Sequence, residues 1–159
     1  ISSAFINNPE LVAEAAKMVG NQSVIVIIDI KKNRFGSGYK IWTHNATRST
    51  SFDPLDLAQK AEAHGAGEVV INSINNDGVM KGYDLKLVRL IREVLSLPMT
   101  VLGGAGSLKD ISILFDSFGI IGAGAGSLFV FKGIYRAVLI NYPNRAEKDS
   151  LSELISKAA

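Results

Sequence analysis

The sequence contains no cysteine. That excludes disulfides, zinc–thiolate sites and cysteine nucleophiles, and it permits a reducing compartment. Two histidines are present, and neither has neighbours that suggest a metal site. Long apolar runs are missing too. Gly or Asp interrupts each one well short of the ~20 residues a membrane span needs, and no signal-peptide pattern opens the chain. An excess of one charge sign is also lacking. Lys and Arg number 17 and Asp and Glu 15, for a net +2, which is no electrostatic footprint for nucleic acid. What remains is 159 residues with 47% hydrophobic and 20% charged content, enough for one globular domain with a real core. The expectation is a cytoplasmic protein with no metal, no cofactor, and neither nucleic acid nor membrane as partner.

The most informative stretch is VIVIIDIKK, residues 24–32. Its unbroken β-branched run predicts a strand buried on both faces, as in parallel sheets under helices. It ends in Asp29, where barrels and open α/β sheets place their chemistry. Asp29 reads either as a catalytic carboxylate or as a turn cap paired with Lys31 or Lys32.

Along the chain, ISSAF predicts the end of a strand. Asn8 and Pro9 open a helix that Gly20 stops. After the VIVIIDIKK strand, residues 33–50 predict a long loop with a small hairpin in which Tyr39, Ile41 and Thr43 alternate. Asp53 and Pro54 open a helix ending at His64 and Gly65. A strand at 68–71 and an Asn- and Gly-rich loop follow. Asp84 caps a helix carrying Leu87, Val88, Ile91, Val94 and Leu95. A strand at Met99–Leu102 leads through glycines 103–106 to a helix ending near Phe118. A short strand at Ile120 and Ile121 leads to the glycines of 122–127, and a last helix is predicted at 134–141. Residues 1–143 then form one unit, with 144–159 as a charged tail or terminal helix.

Alternation of this kind predicts an α/β fold with a parallel sheet. A strand stub and four βα units fall short of the eight strands and roughly 250 residues of a closed (β/α)8 barrel. The expectation is therefore about the C-terminal half of a barrel, completed by a missing N-terminal half or by a second copy.

Three groups lie at the C-terminal strand ends: Asp29, the run Asn72 to Gly78 with Asp77, and the two glycine clusters. Asp77 reads as a second acid, as a ligand hydroxyl acceptor, or as an Asp-Gly turn. Glycines at strand ends let backbone N–H groups approach an anion, so the clusters predict phosphate binding. Lys31 reads as a group steadying a carboxylate or a substrate phosphate, or as a surface lysine. His64 reads as a helix C-cap, His44 as a solvated loop residue or a substrate contact, and Trp42 and Tyr39 as hairpin packing or a lid contact.

VIVIIDIKK, GAGEVVINSINNDGVMKGYD, TVLGGAGS and GAGSLFVF, in this order, resemble the C-terminal half of the cyclase subunit of imidazole glycerol phosphate synthase. KIWTHNAT and GAGSLFVFKGIYRAVLINYP resemble a branch associated with surface-sugar gene clusters and acetamidino-sugar formation. The resemblance implies a (β/α)8 TIM barrel that receives ammonia from a glutaminase subunit and uses it at the C-terminal face. It implies that Asp29 is one of two proton-transferring aspartates, the other belonging to a first strand with no counterpart here. It implies that Asp77 binds the substrate and that Gly78, Gly104, Gly126 and Ser127 hold one phosphate. Ser2 and Ser3 stand where the family has an Asn-Thr pair for the other phosphate, and Glu68 aligns with one member of a charged ammonia gate. Asn72 replaces a family threonine and Leu102 a serine. Both change the ligand lining and favour the surface-sugar branch over the histidine-pathway substrate, the substrate in either case being a phosphorylated or nucleotide-linked sugar. The other expectation is a catalytically inactive half-barrel that folds, self-associates and binds phosphate.

Overall fold

The structure is a computed structural model that describes residues 1–34 and 36–158, and side chains as far as residue 153. Phe35, in the loop expected at 33–50, and Ala159, at the end of the tail, lie outside the described residues. The helices are α1 (Ser3–Asn7), α2 (Glu10–Val19), α3 (Pro54–Ala63), α4 (Leu85–Arg92), α5 (Leu108–Phe118), α6 (Ser127–Val130) and α7 (Arg145–Ala158). The strands are β1 (Ile25–Lys32), β2 (Tyr39–Thr43), β3 (Arg48–Ser49), β4 (Glu68–Ser73), β5 (Met99–Leu102), β6 (Gly122–Ala123), β7 (Phe131–Lys132) and β8 (Ala137–Val138).

Six strands form one sheet in the order β3-β2-β1-β4-β5-β6. β1, β4, β5 and β6 are mutually parallel, and the β2–β3 hairpin adds antiparallel strands beside β1. The hairpin lies inside the expected loop. α3, α4 and α5 connect the parallel strands and cover one face of the sheet. Leu57, Ala58 and Ala61 of α3, Leu87, Val88 and Ile91 of α4, and Ile111 and Leu114 of α5 join Val26, Ile28, Ile30, Val69, Ile71 and Val101 in a single core. Each large aliphatic chain buried there contributes about 1.5–3 kcal/mol. Two of these helices begin as their sequences dictate. Asp53 accepts the N–H groups of Leu55 and Asp56 ahead of Pro54, and Asp84 accepts the N–H of Leu87.

Four expectations are corrected. β1 is buried on one face only. Val26, Ile28 and Ile30 are inside, while Ile25 and Ile27 keep 40% and 36% of their surface exposed. Helices pack against the side that carries Val26, Ile28 and Ile30, while on the other side Val70, opposite Ile27, is buried and the two isoleucines are not. The stub at ISSAF shrinks to Ile1, whose nitrogen donates to the Ile25 carbonyl and whose carbonyl accepts from Ile27. The chain turns at Ser2, and Ser3–Asn7 coils so that Phe5 reaches the core. The strand expected at Ile120 and Ile121 lies two residues later, because Gly122 packs against Thr100 in a space that a Cβ would fill. The helix expected at 134–141 does not form. Gly133, at φ +73°, turns the chain into the β7–β8 hairpin, where the β-branched Val138 suits a strand better than a helix. The charged tail folds as α7.

Candidate active site

Parallel pairing brings the C-terminal ends of β1 and β4 together, with Asp29 opposite Asn72. The Asn72 side-chain amide donates to Asp29 Oδ1 at 2.9 Å. An amide donor fixed on a neighbouring strand holds the carboxylate in one orientation and leaves its second oxygen free to act on a proton. Asp77 reaches the same place from the turn after β4, where its N–H is bonded to the Ser73 carbonyl. Asp29, Asn72 and Asp77 line one cleft of about 280 Å³ with Asn45, Ala46 and Ile74.

Asn45 and Ala46 come from the turn of the β2–β3 hairpin. His44, Asn45 and Ala46 all lie at positive φ, 52°, 54° and 62°. Left-handed backbone costs about 1–2 kcal/mol for a residue with a Cβ, and such strain collects at functional sites. Thr47 tightens the turn, its N–H bonding to Thr43 and its hydroxyl donating to the His44 carbonyl. Sequence reasoning missed this wall of the cleft. The only signal was an Asn in a hairpin turn, a residue that tolerates left-handed backbone.

The glycine set divides. The position of a Gly78 Cβ is 4.0 Å from Ser127 Oγ, and a Cβ on Gly126 would meet nothing within 4 Å. These two glycines and Ser127 leave open space at one rim. Gly104, at φ +124°, is pressed instead against the Gly82 backbone, where any Cβ would overlap the carbonyl oxygen. The N–H groups of Gly106 and Ser107 are already taken by Asp110. In the 103–106 cluster the glycines thus serve close packing. Tyr83, its hydroxyl on the Gly124 carbonyl at 2.9 Å, joins the β4–α4 loop to the β6 end. Burial first, then the Asp110 charge, pushes this hydroxyl up to about 12. Arg136, hidden from sequence reasoning by the expected helix, donates from Nη2 to the Gly78 carbonyl at 2.6 Å.

Ser3 lies on the other side of the hairpin turn, its hydroxyl accepting the His44 N–H at 3.4 Å. Lys31 faces a neighbouring cleft with its ammonium 4.6 Å from the Trp42 ring centre. Trp42 is thus a wall of that cleft, beyond the packing role expected of it. Tyr39 packs against the core, and its hydroxyl lies 3.1 Å from both Asp84 oxygens. Burial and the Asp84 carboxylate push it up to about 12. His64 closes α3, its Nδ1 2.7 Å from the Lys60 carbonyl. Glu68 stands at the opposite end of β4 and accepts the Thr100 hydroxyl at 2.5 Å. Among the described residues no cluster could hold a metal ion, and no helix is long and apolar enough to cross a membrane.

Parallel strands joined through helices, with Asp29 near the C-terminal end of β1 and Asp77 just past β4, make this an α/β protein built of repeated βα units. Residues 1–135 match the family described as "Histidine biosynthesis protein". The chain belongs to that family, whose fold is the (β/α)8 TIM barrel. It is 51% identical over 151 residues to the putative imidazole glycerol phosphate synthase subunit HisF of Leptospira interrogans, covering 95% of this chain and 59% of the relative. It is 47% identical over 154 residues to the putative subunit hisF3 of Vibrio vulnificus, 97% of this chain and 59% of the relative. With subunit HisF of Petrotoga mobilis it shares 40% over 137 residues, 86% and 54% of the two chains. The chain therefore spans well under two thirds of the length of these relatives.

Proposed function

We infer that this chain forms the C-terminal half of a cyclase or synthase subunit, one that uses ammonia from a glutaminase subunit on a phosphorylated or nucleotide-linked sugar. The observation that carries this reading is the Asn72–Asp29 hydrogen bond at adjacent parallel strand ends, with Asp77 in the same cleft. The relatives' names, which are those of imidazole glycerol phosphate synthase subunits, favour a synthase subunit.

Ammonia attacking an electrophilic carbon must lose a proton, and the oxygen it displaces must gain one. Asp29, held by Asn72, is the group that moves the proton, and Asp77 orients the substrate through its hydroxyls. Gly78, Gly126 and Ser127 form one phosphate cradle, from which the packing of Gly104 against Gly82 removes that glycine, and Ser3 belongs to a second. Lys31 balances anionic charge beside Asp29. Glu68, four residues and roughly 13 Å back along β4, stands where ammonia enters. Both the histidine-pathway reaction and acetamidino-sugar formation ask this of the site, and Asn72 and Leu102 favour the sugar branch.

The test gives the full-length protein ammonium chloride in place of the glutaminase subunit. Asp29→Asn should lower turnover of a phosphoribulosyl formimino ribonucleotide, or of an amidino-sugar precursor, by about 10²–10⁴-fold with the fold intact by circular dichroism. Retained turnover ends the assignment. The exposed Ile25 and Ile27 favour a second reading for the 159 residues alone, an inactive half-barrel that self-associates. Turnover by this chain alone would refute it.

A further inference from the structure

A second cleft, of about 520 Å³, opens between the C-terminal end of β1 and the β2–β3 hairpin. Its size falls in the ~300–1,000 Å³ range of small-molecule sites. Lys31, Lys32, Arg34 and Lys40 line it with Trp42 and Asn75, and no carboxylate is among its lining residues. The nearest acid on the sheet is Asp29, two residues back on the face that carries Lys31 and roughly 6.6 Å away along the strand.

The register makes the arrangement costly without a ligand. Lys31 pairs directly with Lys40 across the antiparallel strands, and Asp29 with Trp42. Residues opposite one another share a face, so two ammonium groups stand side by side on the face that carries Trp42. Like charges directly opposite destabilise a sheet. Part of the Lys31 charge rests on the indole ring, a contact of the cation–π kind. Asn75 accepts the Lys32 backbone N–H at 2.7 Å through its Oδ1, which pins the floor of the cleft and leaves the amide NH2 as a donor.

We propose that this cleft is a binding site for a diphosphate-bearing ligand with a flat ring, of the nucleoside diphosphate class. The diphosphate lies between Lys31 and Lys40 and relieves their repulsion. Drawn to the anion, Lys31 leaves the indole, and the ring of the ligand stacks on Trp42 in its place. A lone monophosphate would use neither the aromatic wall nor the full row of cations. The cleft shares Lys31 with the site assigned above but is lined by none of Asp29, Asn72 and Asp77, and binding is measured without turnover, so its result is separate from the chemistry assigned to Asp29.

Trp42 is the single tryptophan of the sequence, so the fluorescence difference between the protein and its Trp42→Phe variant reports on this cleft. UDP, inorganic pyrophosphate and uridine are titrated by calorimetry and fluorescence at two salt concentrations. UDP should bind at least tenfold tighter than pyrophosphate and uridine, weaken as salt rises, and change the Trp42 emission. Lys40→Thr should weaken UDP at least tenfold and melt no lower than the parent, an outcome a merely structural lysine would not give. Lys40→Arg should retain binding. UDP binding no tighter than uridine, or unchanged by Lys40→Thr, overturns the proposal.

Discussion

At the scale of single residues, one amide orients the candidate catalytic carboxylate and two aromatic hydroxyls make stability depend on pH. Asn72 donates to Asp29, and Asn72→Ala removes a hydrogen bond to a carboxylate. Such bonds are worth about 1.5–3 kcal/mol, so turnover should fall roughly 10- to 100-fold while Asp29 remains in place. Steady-state kinetics with ammonium measures it. Tyr39 and Tyr83 both have hydroxyls raised from 10.0 to about 12 by burial and a nearby carboxylate. Between these values the folded protein holds the protons that the unfolded chain has released. Their contribution is therefore complete below about pH 10 and is lost as the pH rises toward 12. Urea midpoints at pH 9 and pH 11 should show a drop that is smaller in Tyr83→Phe than in the parent, a comparison that isolates this hydroxyl.

At the scale of elements, two glycines separate packing from binding. The loop between β5 and α5 lies against the loop between β4 and α4, with the Gly82 N–H on the Gly104 carbonyl at 2.9 Å. Gly104→Ala would combine left-handed backbone with overlap on Gly82, and should cost roughly 2–4 kcal/mol by chemical denaturation. Gly126 has an ordinary negative φ and open space around it. Gly126→Ala should leave the melting temperature within a degree or so of the parent, an effect well under ~0.5 kcal/mol, and weaken only phosphate binding. An equal loss of stability in both variants would remove Gly126 from the phosphate cradle. Helix starts were legible because capping is local: Asp53-Pro54 and Asp84 declare themselves in two residues. The region from 131 to 142 was not legible, since its spacing suits a helix while the choice between helix and hairpin fell to Gly133 and to cross-strand pairing.

At the scale of the molecule, the parallel sheet is covered by helices on one side. On the other it presents Ile25 and Ile27, 40% and 36% exposed, beside Asp29 on the same strand. Exposed apolar surface of this kind marks a face that another element covers. The 159-residue chain should therefore self-associate in light scattering, and Ile27→Lys should shift it toward monomer at equal concentration without loss of helix signal. Monomeric behaviour of the parent chain would show that this face tolerates water.

The sequence by itself determined the alternation of strands and helices from α2 to α5, the caps that start α3 and α4, and the placement of Asp29, Asn72 and Asp77 at strand ends. These follow from periodicity and turn chemistry, which act over a few residues. Only the tertiary structure decided which of those side chains meet. The parallel register set Asn72 against Asp29, the hairpin register set Lys31 against Lys40, and the left-handed turn at 44–46 brought Asn45 to Asp77's cleft. The physical reason is that pairing across strands joins residues well beyond one another's local turn, 43 positions apart for Asp29 and Asn72, and no local preference along the chain encodes which residue will lie opposite which.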